Sequence, residues 1–207
     1  MASRLGDQTA RLAGRITLNP IVHIDPVGTL LFPAMVIFGP LLGFGVPFML
    51  IGWAKPTPVI TRNFRKIVRD DNLTTFAGPA SNLLLVLAAF ALLAGISIAL
   101  PGGHELVMLT FSGGLALSAP SGLQALIVLA VLGIEINLTL FFFNLLPIPP
   151  LDGSRIVRNL LPYNAMQTFD RIPIWASYLL MIFVGGFILR ILMAPADRLI
   201  YSALAGL

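Results

Sequence analysis

Few side chains in this chain can do chemistry, and the most telling group is Asn144-Leu-Leu-Pro147-Ile-Pro149-Pro150-Leu-Asp152-Gly153. It follows an apolar run, residues 125–143, long enough to cross much of a bilayer. Three prolines within four residues then stop the helix, because proline lacks a backbone N–H and restricts the residue before it. Directly after the break stand one acid, Asp152, and Gly153. An ionisable group at membrane depth is costly, and those that remain usually have a function. A helix broken at such depth is tolerated only where the freed backbone lines a cavity or lies inside protein. The plainer alternative is that the prolines end a transmembrane helix at the interface and Asp152 caps the next one. Two further polar groups are candidates. Asn82 can hydrogen-bond across helices, with simple packing as its alternative role; His23 lies between two turn signals, where a satisfied structural histidine is the commoner case.

The elements that would position these groups are membrane spans. Residues 76–100 read as a transmembrane helix opened by Gly78-Pro79-Ala80-Ser81-Asn82, whose small residues let another helix approach closely. Residues 123–146 read as a second span, on which Asn137 and Asn144 lie two turns apart on a face that leads toward Asp152. An amphipathic stretch with Arg155, Arg158, Asp170 and Arg171 follows, then a last span over 174–192 and a tail over 194–207 that reads as an interfacial helix. Residues 28–53 are apolar but punctuated by Pro33, Pro40 and Pro47; they either span or form a re-entrant hairpin. Arginines and lysines crowd 54–75 and recur over 1–27, which places both flanks in the cytoplasm and favours the hairpin. Within the juxtamembrane residues 1–27, Gly6-Asp7 reads as a helix end and residues 15–18 as a short strand. Residues 101–121 hold no Lys or Arg and read as an external loop. The fold class is an all-α multi-pass membrane protein: three to four transmembrane helices, a re-entrant or broken segment, and a short N-terminal β/turn region, forming one domain over 1–207.

Composition agrees and excludes alternatives. The 207 residues are 57% hydrophobic and only 11% charged, where soluble domains carry about 25% charge. The net charge of +4 sits in short loops between apolar runs, a positive-inside pattern rather than a nucleic-acid patch. The chain has no cysteine, so thiolate zinc sites, disulfides and Cys nucleophiles are excluded. His104-Glu105 is followed by Met108 where a second histidine would be needed, so it is no His-Glu-x-x-His helix and reads as solvated loop.

Three stretches together resemble the site-2 protease family of intramembrane zinc metalloproteases, peptidase family M50. They are Gly6-Asp7-Gln-Thr9-Ala10 running through Gly14-Arg15-Ile-Thr17-Leu18-Asn19-Pro20-Ile-Val-His23-Ile-Asp25-Pro26, then Gly78-Pro79-Ala80-Ser81-Asn82, then Asn144 to Gly153. Gly52-Trp53-Ala54-Lys55-Pro56 and Arg62-Asn63-Phe64-Arg65 are similar to the family's bacterial branch. The resemblance implies a zinc cofactor held by two histidines of a His-Glu-x-x-His helix and by Asp152, with the glutamate as general base. It implies active-site support or substrate binding for Asn144, His23, Asn82, Pro149, Pro150 and Gly153. It further implies a multi-pass protein of the cell membrane that cuts transmembrane or membrane-proximal segments of protein substrates. Ser154, where relatives often carry a second glycine, is a mild departure. The serious departure is that no His-Glu-x-x-His occurs in these residues, so the catalytic residues are unknown and the chain as written is not expected to cleave peptide bonds. Either the given start is late, the preferred reading, or this is a degenerate relative. The competing functions are a non-catalytic pseudoprotease or scaffold and, less favoured, a small transporter.

Overall fold

The structure is a computed structural model and describes residues 1–17, 19–31, 34, 55, 57–114 and 122–207. The chain divides into two compact units, Met1–Asp71 and Asn72–Leu207. Residues 28–53, open between a span and a hairpin on sequence grounds, lie largely outside the described residues; what is described of them is a π turn over Pro26–Leu31 and Ala34.

The described residues of the first unit within 1–31 and 57–64 form short helical turns tied together by polar side chains. Helix α1 (Ala2–Leu5) ends at Gly6, whose φ of 119° is left-handed backbone that favours glycine. A Cβ there would also lie 2.8 Å from the Asn63 carbonyl oxygen, so this glycine is required twice over. Helix α2 (Thr9–Leu12) follows. Between them Asp7 is fully buried, and its carboxylate accepts from the Thr9 hydroxyl and N–H, from the Ile60 N–H at 2.9 Å and from the Asn63 amide at 2.9 Å. Burial by itself would push this carboxyl up, but those hydrogen bonds outweigh it and hold the carboxyl well below the usual carboxylate range. Asp7 thus clamps the chain start to residues 60–63. The strand expected over 15–18 does not form at the described residues 15–17. There the Arg15 guanidinium donates to the Val22 carbonyl, an alternative local bond that a strand ladder would forgo.

Among the described residues three helices are long and apolar enough to cross a membrane: α3 (Ile67–Ala99), α5 (Gly122–Asn144) and α8 (Ile174–Ala205). Helix α3 begins ahead of its apolar stretch because Asp70 accepts from the Lys66 N–H at 2.9 Å and caps the first turn. Its interior Pro79 is fully buried. Leu84, Leu129 and Phe183 are 66%, 67% and 74% exposed on the three helices, as helices that are apolar all round require when lipid is the solvent.

The second unit packs these helices around Val86, Leu93 and Ile96 of α3, Ile127, Ala130, Ile134 and Leu138 of α5, and Leu204 of α8. Val107 joins them from a short helix, α4 (Gly103–Phe111), so the external loop expected over 101–121 is helical in its first half. Nor is His104 solvated. It is half-buried, and its Nδ1 lies 2.8 Å from the Ser97 hydroxyl on the last turn of α3. Gly103 packs so closely on α3 that a Cβ would lie 2.3 Å from the Ile96 carbonyl oxygen. The last span passes through a π turn at Met181–Gly185 and runs on to Ala205, so the tail is a continuation of α8 and not a separate interfacial helix.

Candidate functional site

The site grows from the end of α5. After Asn144 the helix tightens, with the Leu145 and Leu146 N–H groups donating three residues back to Phe142 and Phe143. Pro147, Pro149 and Pro150 then forbid further helix; the Pro149–Pro150 bond is cis. One turn closes from the Leu151 N–H to the Ile148 carbonyl at 2.9 Å. Helix α6 (Asp152–Leu160) starts at once, with the Ser154 hydroxyl on the Leu151 carbonyl at 2.7 Å. The segment folds back so tightly that a Cβ on Gly153 would lie 2.1 Å from the Leu145 carbonyl oxygen and 2.6 Å from that of Leu146. Only glycine allows that approach, and the approach is what turns Asp152 back toward the bundle.

Asp152 meets Gly78 there. Its Oδ2 lies 3.3 Å from where a Gly78 Cβ would be, so the Gly78–Asn82 stretch of α3 and the Pro147–Gly153 break converge in space. A second tie is Asn159 on α6, whose amide donates to the Asn72 side chain on α3 at 2.8 Å. Helix α7 (Tyr163–Asp170) is fastened to α6 by a two-pronged pair, with Arg158 Nε and Nη2 donating to the Asp170 carboxylate at 2.6 and 2.7 Å. This pair holds the Asp170 carboxyl below its ordinary range.

The break is deep along the last span. Leu146 Cδ1 lies 3.6 Å from the Cβ position of Gly185. Gly185 stands about 17 Å of helix axis beyond Ile174, where the span begins, at 1.5 Å per residue. The α5–α8 register is set by the Thr139 hydroxyl against the Met193 sulfur at 3.9 Å. Higher on α5, Gly133 and Asn137 line a groove of about 390 Å³ shared with Leu85, Ala88 and Leu92 of α3. The Asn137 amide donates to the Gly133 carbonyl at 2.8 Å.

The other candidates fall as follows. Asn82 and Asn144 are half-buried, and their amides find no hydrogen-bond partner among the described residues. His23 belongs to the first unit; it ends a 3-10 turn over Pro20–His23, and its Nε2 lies 3.2 Å from the Thr17 carbonyl. Sequence reasoning marked Gly78 as a small residue permitting close approach but missed Asn72 and Asn159 as positioning residues. Glycine before proline signals a helix irregularity at Gly78, whereas nothing in the spacing of Asn72 and Asn159 signals their pairing.

A catalytic zinc takes three protein ligands and keeps one position open. Among the described residues no group of three His, Cys, Asp or Glu side chains gathers, and the chain holds only two histidines. Asp152 supplies a ligand of the right kind, but the described residues alone do not make a zinc site.

An all-α bundle of membrane spans with a proline-broken helix presenting one acid defines a class of polytopic membrane protein. The sequence relationships place it more narrowly. Peptidase family M50 matches residues 61–185, most of the chain, and the chain belongs to that family, the site-2 proteases. It is 38% identical over 162 residues to "Putative zinc metalloprotease YwhC" of Bacillus subtilis, covering 78% of this chain and 61% of that protein. It is 29% identical over 154 residues to "Putative zinc metalloprotease Rip2" of Mycolicibacterium smegmatis, covering 73% of this chain and 46% of that protein. The chain therefore spans only about half to three-fifths of these curated relatives. No solved structure matches it.

Proposed function

We propose that these residues form the substrate-facing part of an intramembrane zinc metalloendopeptidase of the cell membrane. Its substrates would be transmembrane or membrane-proximal segments of other proteins. The observation that carries this reading is the convergence of Asp152 with Gly78 at a helix break deep along the spans, in a member of peptidase family M50. Asp152 would be one zinc ligand, with the remaining ligands outside the described set. When bound, the metal would supply an ionised water at neutral pH. The residues of this chain do the rest. The proline-broken segment frees backbone groups and opens the bundle, and Gly78 and Gly153 let the two stretches close on Asp152. The side-chain amides of Asn144 and Asn82 offer donors and acceptors to an extended peptide, which must have its own helix unwound before cleavage.

A second reading is a pseudoprotease that keeps the scaffold without the reaction. One experiment separates them. The longest reading frame containing this chain is translated, expressed and assayed for zinc by atomic absorption and for chelator-sensitive cleavage of a transmembrane reporter. The protease reading expects an upstream His-Glu-x-x-His, one zinc per chain, and loss of both zinc and cleavage in Asp152→Ala. A frame without that motif and a protein without zinc would establish the pseudoprotease. Zinc and cleavage that survive Asp152→Ala would remove Asp152 from the site.

A further inference from the structure

Among the described residues, a hydroxyl without an acceptor stands on α3 one turn from the place where an acid without a donor meets that helix. The Thr74 hydroxyl oxygen is buried and has no hydrogen-bond partner there. A threonine inside a helix has a ready acceptor in the carbonyl four residues back. Thr110 on α4 and Thr168 on α7 use theirs, at 2.8 and 3.2 Å. Thr74 does not, and a buried hydroxyl left idle is costly. Thr74 stands one turn before Gly78 on the same face of α3, a spacing that puts Cβ positions about 5–6 Å apart. The space off Gly78 holds one group, the Asp152 Oδ2, 3.3 Å from where a Cβ would be. That carboxylate in turn accepts no hydrogen bond from any described residue. An ionised carboxylate only accepts and a hydroxyl donates, so the two idle groups are complementary.

We propose that Thr74 is a positioning residue of this site: its hydroxyl donates to the Asp152 carboxylate, which a rotamer change at either side chain brings into reach. The bond fixes the direction in which Asp152 presents its other oxygen. The inference rests on the reading of Asp152 as a metal ligand and adds the group that aims it. Carboxylates that hold a metal are themselves held by hydrogen bonds, and losing such a bond lowers metal affinity about 10–100-fold.

The first test is the unfolding midpoint of the full-length protein in detergent with a zinc chelator, where no metal contributes. Thr74→Val keeps the shape of the side chain and removes only the hydroxyl. An idle hydroxyl would make this variant more stable, because a buried unsatisfied group is gone. The proposal expects the opposite sign: Thr74→Val lowers the midpoint, and in an Asp152→Ala background it raises the midpoint or leaves it unchanged. A rise in both backgrounds, or an equal fall in both, would overturn the proposal. The second readout is zinc affinity by competition with a chromophoric chelator. Thr74→Val should lose about tenfold or more, while Thr74→Ser, which keeps the hydroxyl, should stay within about twofold of the parent. Loss of zinc in Asp152→Ala but not in Thr74→Val would overturn the positioning role alone. Zinc held in full by Asp152→Ala would overturn the ligand reading and the positioning role with it. A full-length protein that binds no zinc is judged on the midpoints.

Discussion

At the residue scale the site is governed by two missing Cβ atoms. At Gly153 a methyl group would fall on two backbone carbonyl oxygens, which cannot swing aside as a side chain can. Gly153→Ala should therefore cost about 1–3 kcal/mol or more as an overpacking substitution, read as a shift in the unfolding midpoint in detergent. At Gly78 the neighbour among the described residues is the far end of the Asp152 side chain, at 3.3 Å. Gly78→Ala can be accommodated by rotating that carboxylate, and alanine favours the helix by about 0.5–1 kcal/mol. We expect stability to be kept or raised and zinc retention by the full-length protein to fall. A variant that loses stability and keeps zinc would show that the Gly78–Asp152 contact is only packing.

At the element scale, two polar pairs help to place α6. The Asn72–Asn159 hydrogen bond fastens it to α3, and the Arg158–Asp170 pair fastens α7 to it. The Asn pair is half-buried, so its loss leaves polar groups short of partners. A double-mutant cycle of Asn72→Ala and Asn159→Ala should return a coupling of about 1 kcal/mol, and a value near zero would mean that this hydrogen bond does not help to position α6. The Arg158–Asp170 pair is open to solvent, with side-chain exposures of 41% and 42%, and salt should weaken it readily.

At the scale of the whole molecule, the described residues of the first unit bury few apolar side chains, Ala2, Ala10 and Phe64, and Asp7 is the buried acid that ties its separate turns together. The Asp7 carboxyl sits below its unfolded value. Its contribution to stability is thus present above the ordinary carboxylate range and is lost as pH falls through that range and below it. Acidification should release residues 1–14 before it disturbs the helices of the second unit, seen as protease cutting at Arg11 and Arg15. Asp7→Asn would place an N–H donor among donors, costing about 1–3 kcal/mol at neutral pH and flattening the acid response. An acid response unchanged in Asp7→Asn would assign it to another group.

The chain alone was enough for the class and for most of the motif set, because lipid makes a demand that composition must meet. A span has to be apolar over its whole length, and prolines and acids inside such runs stand out against that background. The break at Pro147–Pro150, the acid at Asp152 and the helical bundle were all legible for that reason. What required the tertiary structure was everything that depends on close approach or on pairing across many residues. The need for glycine at Gly153 comes from the Leu145 and Leu146 carbonyls, and the contact at Gly78 from the Asp152 carboxylate, which no local pattern reveals. The burial of Asp7 rests on Ile60 and Asn63, far along the chain, whose donors reverse the sign that burial alone would give its carboxyl. The helix over 103–111 was hidden because its glycines resemble loop, while its stability comes from packing Gly103 on Ile96 and bonding His104 to Ser97. Periodicity reports what solvent a residue meets; only the fold decides which neighbour it meets.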